Sequence, residues 1–366
     1  MYDYLIIDTV NLAYKLHDRC KKKQTIEIVN NRKKDVSLTL MKVGNRKVYR
    51  ELMQEFITEL SHLKSKFLNE NGQVVLLFDN YTSRDELRAS MIPATAHIQR
   101  KELNRFYKSN RAIASPEFYA SIDLVHYWAK LKEPNFHTCK IFKLEADDLL
   151  PPCIRHIGSD KKILMVTNDS DWAKVMTSNI DMLPNINEEP FTLAAFISKK
   201  GYIPTEEYVS FEKMLYGDKA DNVVAVFDFL TKDEKAHALK TYSNVVDFMY
   251  DSPSDKILGH HAIAIKNKER DAKLAYKMLS SVPVGDDHFR NVYTTGRNAA
   301  ILRTTLEDVI FNTDKKVGMD APSEFGRLLV PRKMPKLDGW PPISGYMVAW
   351  NNKDDEPIDG EKEVKE

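Results

Sequence analysis

An α/β fold is what this sequence predicts: a central, mostly parallel sheet flanked by helices, with a helical C-terminal domain after it. Three observations predict it. Four short apolar runs lie in the first half of the chain: Tyr4-Leu5-Ile6-Ile7, Val74-Val75-Leu76-Leu77-Phe78, Ile141-Phe142-Lys143-Leu144 and Ile163-Leu164-Met165-Val166. Runs this short and apolar on both faces read as strands buried inside a parallel sheet. Helical stretches separate them, and alternating strands and helices build a doubly wound layer. From about residue 206 the strand pattern stops and helical periodicity takes over.

Taken in order, the first run ends at Asp8, the second at Asp79 and the third at Glu145, while the fourth is followed by Asp169. Helices are expected at 48–68, 117–131, 147–157 and 171–177. The basic stretch 20–47 reads either as a hairpin or as a mobile arm. Later helices are expected at 206–216, 219–230, 232–241, 243–250, 260–280 and 296–311. The expected division is an α/β domain over 1–205, a helical domain over 206–315, and a last segment over 316–366. Residues 317–347 of that segment are rich in Pro and Gly and read as wrapping the surface. Residues 351–366 are polar and charged, a composition that favours disorder.

The 366 residues fit about two domains, and a hydrophobic content of 43% is ample for a packed core. The net charge of +1, from 54 basic and 53 acidic residues, decides nothing about partners, but its distribution does. Arg19, Lys21, Lys22, Lys23, Arg32, Lys33, Lys34, Lys42, Arg46, Lys47 and Arg50 crowd one stretch; Arg100, Lys101, Arg105, Lys108 and Arg111 crowd another. The acids gather elsewhere. Separate basic and acidic zones suit an enzyme that grips phosphate with one and holds metal with the other. Three scattered cysteines, Cys20, Cys139 and Cys153, argue for a reducing compartment and against a disulfide framework. The opening Met-Tyr-Asp-Tyr runs into a strand, and no apolar run reaches the roughly 18 residues of a membrane span. We therefore expect no signal peptide, no membrane contact and a cytoplasmic, monomeric protein.

Each of the four strands delivers a carboxylate at or just past its C-terminal end, the edge where open parallel sheets bind ligands. A single Asp there is ordinarily a helix cap or a turn former. Doubled acids need another reason. The clusters are Glu145-Ala146-Asp147-Asp148, Asp169-Ser170-Asp171 and Asp218-Lys219-Ala220-Asp221-Asn222. With Asp8 and Asp79 they make nine carboxylates, which would repel strongly if brought together without cations. A ligand set of oxygen alone suits Mg²⁺ or Mn²⁺, and nine acids exceed the needs of one ion. Two ions roughly 3.5–4 Å apart can activate a water and stabilise the leaving oxygen of a phosphodiester. A glycosidase needs only two carboxylates, and a nucleotide phosphotransferase would want a Gly-rich phosphate loop, which is missing among the 13 glycines.

The segments "LIIDTVNLAYK", "LLFDN", "RKELNRFYKSNR", "EADDLL", "TNDSDW" and "YGDKADNV" occur in this order. Together they resemble the flap endonuclease / 5′-3′ exonuclease family over residues 1–225, and look closest to its T-even phage ribonuclease H type. The resemblance implies a PIN-like domain holding two Mg²⁺ ions, for which Mn²⁺ can substitute. Asp8, Asp79, Glu145, Asp147 and Asp148 would surround the first ion, and Asp169, Asp171, Asp218 and Asp221 the second. It places an arch at about 92–115, with Lys108 on the lysine that helps hold the scissile phosphate and Arg100 on the arginine eight residues earlier. Developing charge on phosphate needs such cations. Tyr107 or Phe106 could stack on a base, and Arg105 and Arg111 could meet nucleic acid.

One departure stands out. After the last acidic cluster the family carries a Gly-rich turn that grips duplex phosphates, and here the text is "VVAVFDFLTKDEKAHALKTYSN". Lys232 and Lys235 remain to meet phosphate, without the close backbone approach glycine permits. His97, His126 and His137 lack partner spacing and read as structural or surface residues; Trp128 and Trp172 read as core. The implied activity is a 5′-nuclease that removes RNA primers or 5′ flaps during phage DNA replication, leaving 5′-phosphates. Its partners would be DNA, RNA–DNA hybrid and single-strand-binding or other replication proteins. The alternatives are a single-stranded RNA nuclease of the wider PIN class and a non-catalytic nucleic-acid-binding module.

Overall fold

The computed structural model describes residues 1–31, 38–43, 46–79, 108, 114–132, 134–141, 144–296 and 299–311. Arg100, Lys101, Arg105, Phe106, Tyr107 and Arg111 of the expected arch, His97, and the 316–366 segment lie outside the described residues.

A six-stranded sheet organises the first part of the chain. Its strands are β1 (Tyr2–Asp8), β4 (Leu68–Phe78), β5 (Phe136–Lys140), β6 (Ile163–Val166), β7 (Ile180–Leu183) and the two-residue β8 (Thr294–Thr295), in the order β7-β6-β1-β4-β5-β8. All neighbours run parallel except β8, which pairs antiparallel to β5. Successive residues go to opposite faces, as the pleat requires. Leu5, Ile7, Val74, Leu76, Phe78, Leu164 and Val166 enter one core. Ile6, Val75, Leu77, Ile163 and Met165 enter the other. Both faces are covered, which is why the sequence shows apolar runs rather than alternation.

The first face is covered by α1 (Thr9–Asn31), α2 (Arg50–Phe67), α3 (Pro116–Lys130) and α12 (Ala300–Phe311), through residues such as Leu16, Phe56, Phe118, Trp128 and Leu306. The second is covered by α4 (Ala146–Ile157), the 3-10 turn Ser170–Val175, α5 (Leu193–Lys200) and α11 (Asp286–Val292), through Leu149, Trp172, Phe196 and Phe289. Local signals start several helices. Ser115 caps α3 just ahead of Pro116, accepting the Phe118 amide at 3.2 Å, and Thr192 and Asn244 do the same for α5 and α8 (Val245–Asp251).

A third core belongs to the helical part: α6 (Glu206–Tyr216), α7 (Lys232–Thr241), α8, α9 (Ala262–Asn267) and α10 (Glu269–Leu279). Helix α6 serves two cores, with Val209 packing toward the sheet and Phe211, Met214 and Leu215 toward the helices. After α10 the chain returns to the sheet. Helix α11 packs on α4, β8 pairs with β5, and α12 packs on α2. No helix among the described residues is long and apolar enough to cross a membrane.

Several expected boundaries move. The third strand lies at Phe136–Lys140 rather than 141–144. Of its polar members, His137 is paired, its Nε2 with Gln73 Oε1 at 2.8 Å and its ring stacked on Tyr293 at 4.9 Å, whereas the buried Thr138 hydroxyl has no hydrogen-bond partner among the described residues. Residues 219–230 form no helix; they turn, and the single helix expected over 260–280 is broken at Lys268 into α9 and α10. Of the two readings of 20–47, the structure gives a continuation of α1 to Asn31 and an antiparallel hairpin of β2 (Leu40–Val43) and β3 (Arg46–Tyr49).

Leu76 is fully buried between Ile7 on β1 and Thr138 on β5. Leu76→Ala is expected to lower unfolding free energy by about 2–5 kcal/mol, the cost of a core cavity. Chemical denaturation measures it; a loss under about 1 kcal/mol, as at a surface position, would show that β4 is not a central strand.

Candidate active site

The sheet order places a topological switch beside β1: the chain leaves β1 for β4 and β5 on one side, then crosses to β6 and β7 on the other. Ligand crevices form at such points, outside the C-terminal strand ends. Asp8 closes β1 there. Its Oδ1 accepts the Asn11 amide at 3.1 Å and its Oδ2 accepts the Thr167 hydroxyl at 3.0 Å, tying β1 to the end of β6. Asp79 follows β4, and its Oδ1 accepts the Ala146 amide at 2.8 Å, docking the start of α4 against the sheet. Glu145 is the residue before α4, and its Oε1 receives Lys108 Nζ at 2.7 Å. Asp147, one residue into the first turn, has its Oδ1 fixed by the Trp172 indole N–H at 2.7 Å. Trp172 is thus a core residue, as expected, that also positions an acid.

The second group comes from two stretches. Asp169 precedes the Ser170–Val175 turn, and its Oδ1 accepts the Asp171 amide at 3.0 Å. Asp171 and Asp218 share one ammonium group: Lys213 Nζ contacts Asp171 Oδ1 and lies 2.5 Å from Asp218 Oδ2. Asp221 lies in the turn after α6. That turn is closed by reciprocal 2.8 Å backbone bonds between Asp218 and Val223 and has Asn222 at a left-handed φ of 58°. Gly217 begins it at φ 78°, where a Cβ would sit 3.0 Å from Val223 O, so glycine is required twice over.

Lys108 joins the two groups. Its Nζ is 2.7 Å from Glu145 and 3.8 Å from Asp221, and its backbone N–H donates to Asp221 O at 2.9 Å. Its φ of 51° is rare for a lysine. Such a conformation persists only where the surroundings hold it.

Asp148 is placed differently from its neighbours. Its Oδ2 accepts the Glu145 amide at 3.1 Å and its Oδ1 accepts the Val282 amide at 2.8 Å. It closes the first turn of α4 and ties it to the chain returning after α10. Lys232 and Lys235 lie in the first turn of α7, Lys235 with its ammonium 5.9 Å from the Tyr216 ring centroid.

Sequence reasoning missed Lys213, which is buried. The signal was present: Val209 and Ser210, four and three residues earlier on the same helix face, are buried too, so this lysine sits on the inward side of α6.

Burial, with Asp79 and Asp169 nearby, pushes the Asp8 carboxyl up to about 7. Burial and Asp169 hold Asp147 well above the ordinary carboxylate range, and burial with Asp171 raises Asp169. Lys213 moves up although burial alone would lower it, because Asp171, Asp218 and Asp169 surround it. Lys108 pulls the Asp147 carboxyl down, and Lys213 and Lys108 the Asp169 carboxyl, but burial and the neighbouring acids leave both raised. Buried acids with displaced pKa values and no His or Cys among them fit hard dications.

Without dications the folded protein keeps a proton on Asp8 up to about pH 7, whereas an unfolded aspartate releases it near 3.8. Stability should fall as pH rises through that window and stay low above it. Melting curves in chelator are expected to show this decline, with a smaller slope in Asp8→Asn and little slope in saturating Mg²⁺. A melting temperature that climbs with pH across the window would contradict it.

Comparison with known proteins places this geometry. The family described as 5′-3′ exonuclease, N-terminal resolvase-like domain, matches residues 3–202. The 5′-3′ exonuclease of Buchnera aphidicola from Schizaphis graminum is 26% identical over 185 residues, covering 49% of this chain and 63% of that protein. Its counterpart from the Acyrthosiphon pisum strain is 25% identical over 185 residues with the same coverage. The chain thus spans somewhat under two thirds of the length of these relatives. Among solved structures, the bacteriophage T5 flap endonuclease, in a pseudo-enzyme–product complex with DNA and metal ions, superposes with a TM-score of 0.50 at 16% identity. That match covers 89% of this chain and 97% of the other, and shows a shared fold. Sheet, crevice and sequence match lead to one conclusion: this chain belongs to the family of the 5′-3′ exonuclease N-terminal resolvase-like domain.

Proposed function

We propose that the chain is a 5′-nuclease that hydrolyses phosphodiester bonds in DNA or in RNA paired to DNA, removing primers or 5′ flaps during phage replication and leaving 5′-phosphates. The observation that carries this reading is the convergence of acids from separate stretches of chain on Lys108 and Lys213, both buried. Asp8, Asp79, Glu145 and Asp147, backed by Asp148, would hold one Mg²⁺, and Asp169, Asp171, Asp218 and Asp221 a second. Bound dications would supply Lewis-acid polarisation of the phosphate and a more acidic water.

The protein's own groups do the rest. Thr167 and Asn11 fix the two oxygens of Asp8, and Trp172 fixes Asp147, so the acids are oriented before substrate arrives. Lys108, between the two groups of acids, is the cation that would pair with the scissile phosphate as charge develops on it. Arg100, Arg105, Tyr107 and Arg111 would guide a single-stranded 5′ end. Within the 206–315 stretch, helices α6 to α10 would bind duplex, with Lys232 and Lys235 toward phosphate, while the segment after α10 returns to the sheet. DNA and RNA–DNA hybrid are the proposed partners, along with replication proteins, and Mn²⁺ can replace Mg²⁺.

Asp147→Asn is the cleanest test, because its amide oxygen can still accept from Trp172 while the charge is lost. Asp148 is avoided because it ties α4 to Val282. With a 5′-labelled flapped duplex, an RNA–DNA hybrid and a single-stranded RNA, Asp147→Asn should bind DNA as before and cleave at least about 10²-fold more slowly in Mg²⁺, the scale seen when one preorganised group that stabilises transition-state charge is removed. Lys108→Met should lose a similar factor in kcat. Full cleavage by Asp147→Asn, or cleavage in chelator, removes the proposal. Preference for the single-stranded RNA would transfer it to an RNA nuclease.

A further inference from the structure

Away from the acidic crevice, three side chains of the helical part converge. Glu234 is in the first turn of α7 and completes a capping box: its Oε2 accepts the Thr231 amide and hydroxyl, each at 2.8 Å. That fixes the carboxylate and points Oε1 away from the helix start. Two adjacent imidazoles face this one oxygen. His261 Nε2 lies 3.1 Å from Oε1 and His260 Nε2 lies 3.3 Å from it. The donor atoms of all three residues fall within 4.8 Å of one another.

The histidines sit on a fixed support. They end the 3-10 turn Gly259–His261, which is held between Leu258 just before it and Ile265 in the following α9, both fully buried. The His261 amide donates to Leu258 O at 2.8 Å, and its ring packs against Phe229 at 5.4 Å. The two imidazole centroids are 3.9 Å apart, tilted by 39°. Sequence neighbours thus aim the same nitrogen at the same oxygen.

Donors on a tetrahedral zinc with bonds of about 2.0 Å stand about 3.3 Å apart; the 3.1 and 3.3 Å separations of the two imidazole nitrogens from Oε1 are compatible with that edge, and the 3.1 Å contact also fits a hydrogen bond, so zinc titration decides between them. Two imidazoles and one carboxylate are also a borderline donor set that suits zinc rather than magnesium. The side chain of His260 is 62% exposed and that of His261 23%, leaving a path for the ion and for water in the remaining position.

We propose that Glu234 Oε1, His260 Nε2 and His261 Nε2 form a zinc site, independent of the acidic crevice, that ties the start of α7 to the turn at 259–261. It would cross-link two parts of the helical core 26 residues apart in sequence, and would place a cation beside the first turn of α7. Its donors touch none of the nine acids assigned to the crevice.

The test uses the whole chain in excess Mg²⁺, so that the crevice is filled, titrated with zinc chloride by calorimetry. The wild type should bind one zinc that Mg²⁺ does not displace, and zinc should raise its melting temperature. His260→Ala/His261→Ala should lose at least about 100-fold in zinc affinity and show no zinc-dependent melting shift. Glu234→Gln should lose at least about tenfold, because its amide oxygen can keep the Thr231 bonds while an NH₂ faces the histidines; this variant carries the test if the double variant does not fold. Asp147→Asn should keep the site. Equal zinc isotherms for wild type and either site variant would overturn the proposal, as would loss of the site in Asp147→Asn.

Discussion

Packing carboxylates behind the ends of neighbouring strands costs free energy unless cations share the space, and the rest of this molecule is arranged around that cost. In water the acids would ionise independently. In the crevice, burial and mutual repulsion push Asp8, Asp147 and Asp169 above their ordinary range. The fold meets part of the demand with lysines; besides Lys174, 3.9 Å from Asp171, two come from quite different places, Lys108 from the segment before α3 and Lys213 from the inner face of α6. Lys108 and Lys213 each contact two acids brought from separate stretches of chain.

Holding the acids in place takes neutral groups as well. Thr167, Asn11, Ala146 and Trp172 each donate to one carboxylate oxygen, and none of them adds charge. These donors come from the strand ends, the first turns of helices and the core, so the geometry is inherited from the sheet rather than from flexible loops. Asp148 shows the other use of an acid: it accepts from two backbone amides, and its neighbour Asp147 is the one presented to the crevice.

Much of this was legible in the sequence because the signals were local. Buried parallel strands announce themselves as apolar runs, and acids at their ends followed directly. The third strand was misplaced by several residues because Phe136-His137-Thr138-Cys139-Lys140 looks polar. In the fold His137 pairs with Gln73 and stacks on Tyr293, contacts that no window of sequence contains. The segment 219–230 looked helical from its apolar spacing, but Asn222 adopts a left-handed backbone and the Asp218–Val223 pairing turns the chain instead. Lys213 escaped notice because lysines are usually solvated, and only the buried neighbours on its helix face mark it. The return of the chain to β8 rests on two residue pairs, too short to leave a pattern.

That return settles how the helical part is attached. It leaves the sheet through α6, whose residues serve two cores, and comes back at Val282 and α11, after which α12 covers helices laid down near the start of the chain. Both of its ends are therefore anchored on the same scaffold, in the manner of an insertion rather than an appendage. Shortening the chain from the far end would strip α12 from the sheet before it removed a single helix of the inserted part. Exchange of that part between relatives has to be a cut at two points, and natural variation in its length is confined between them.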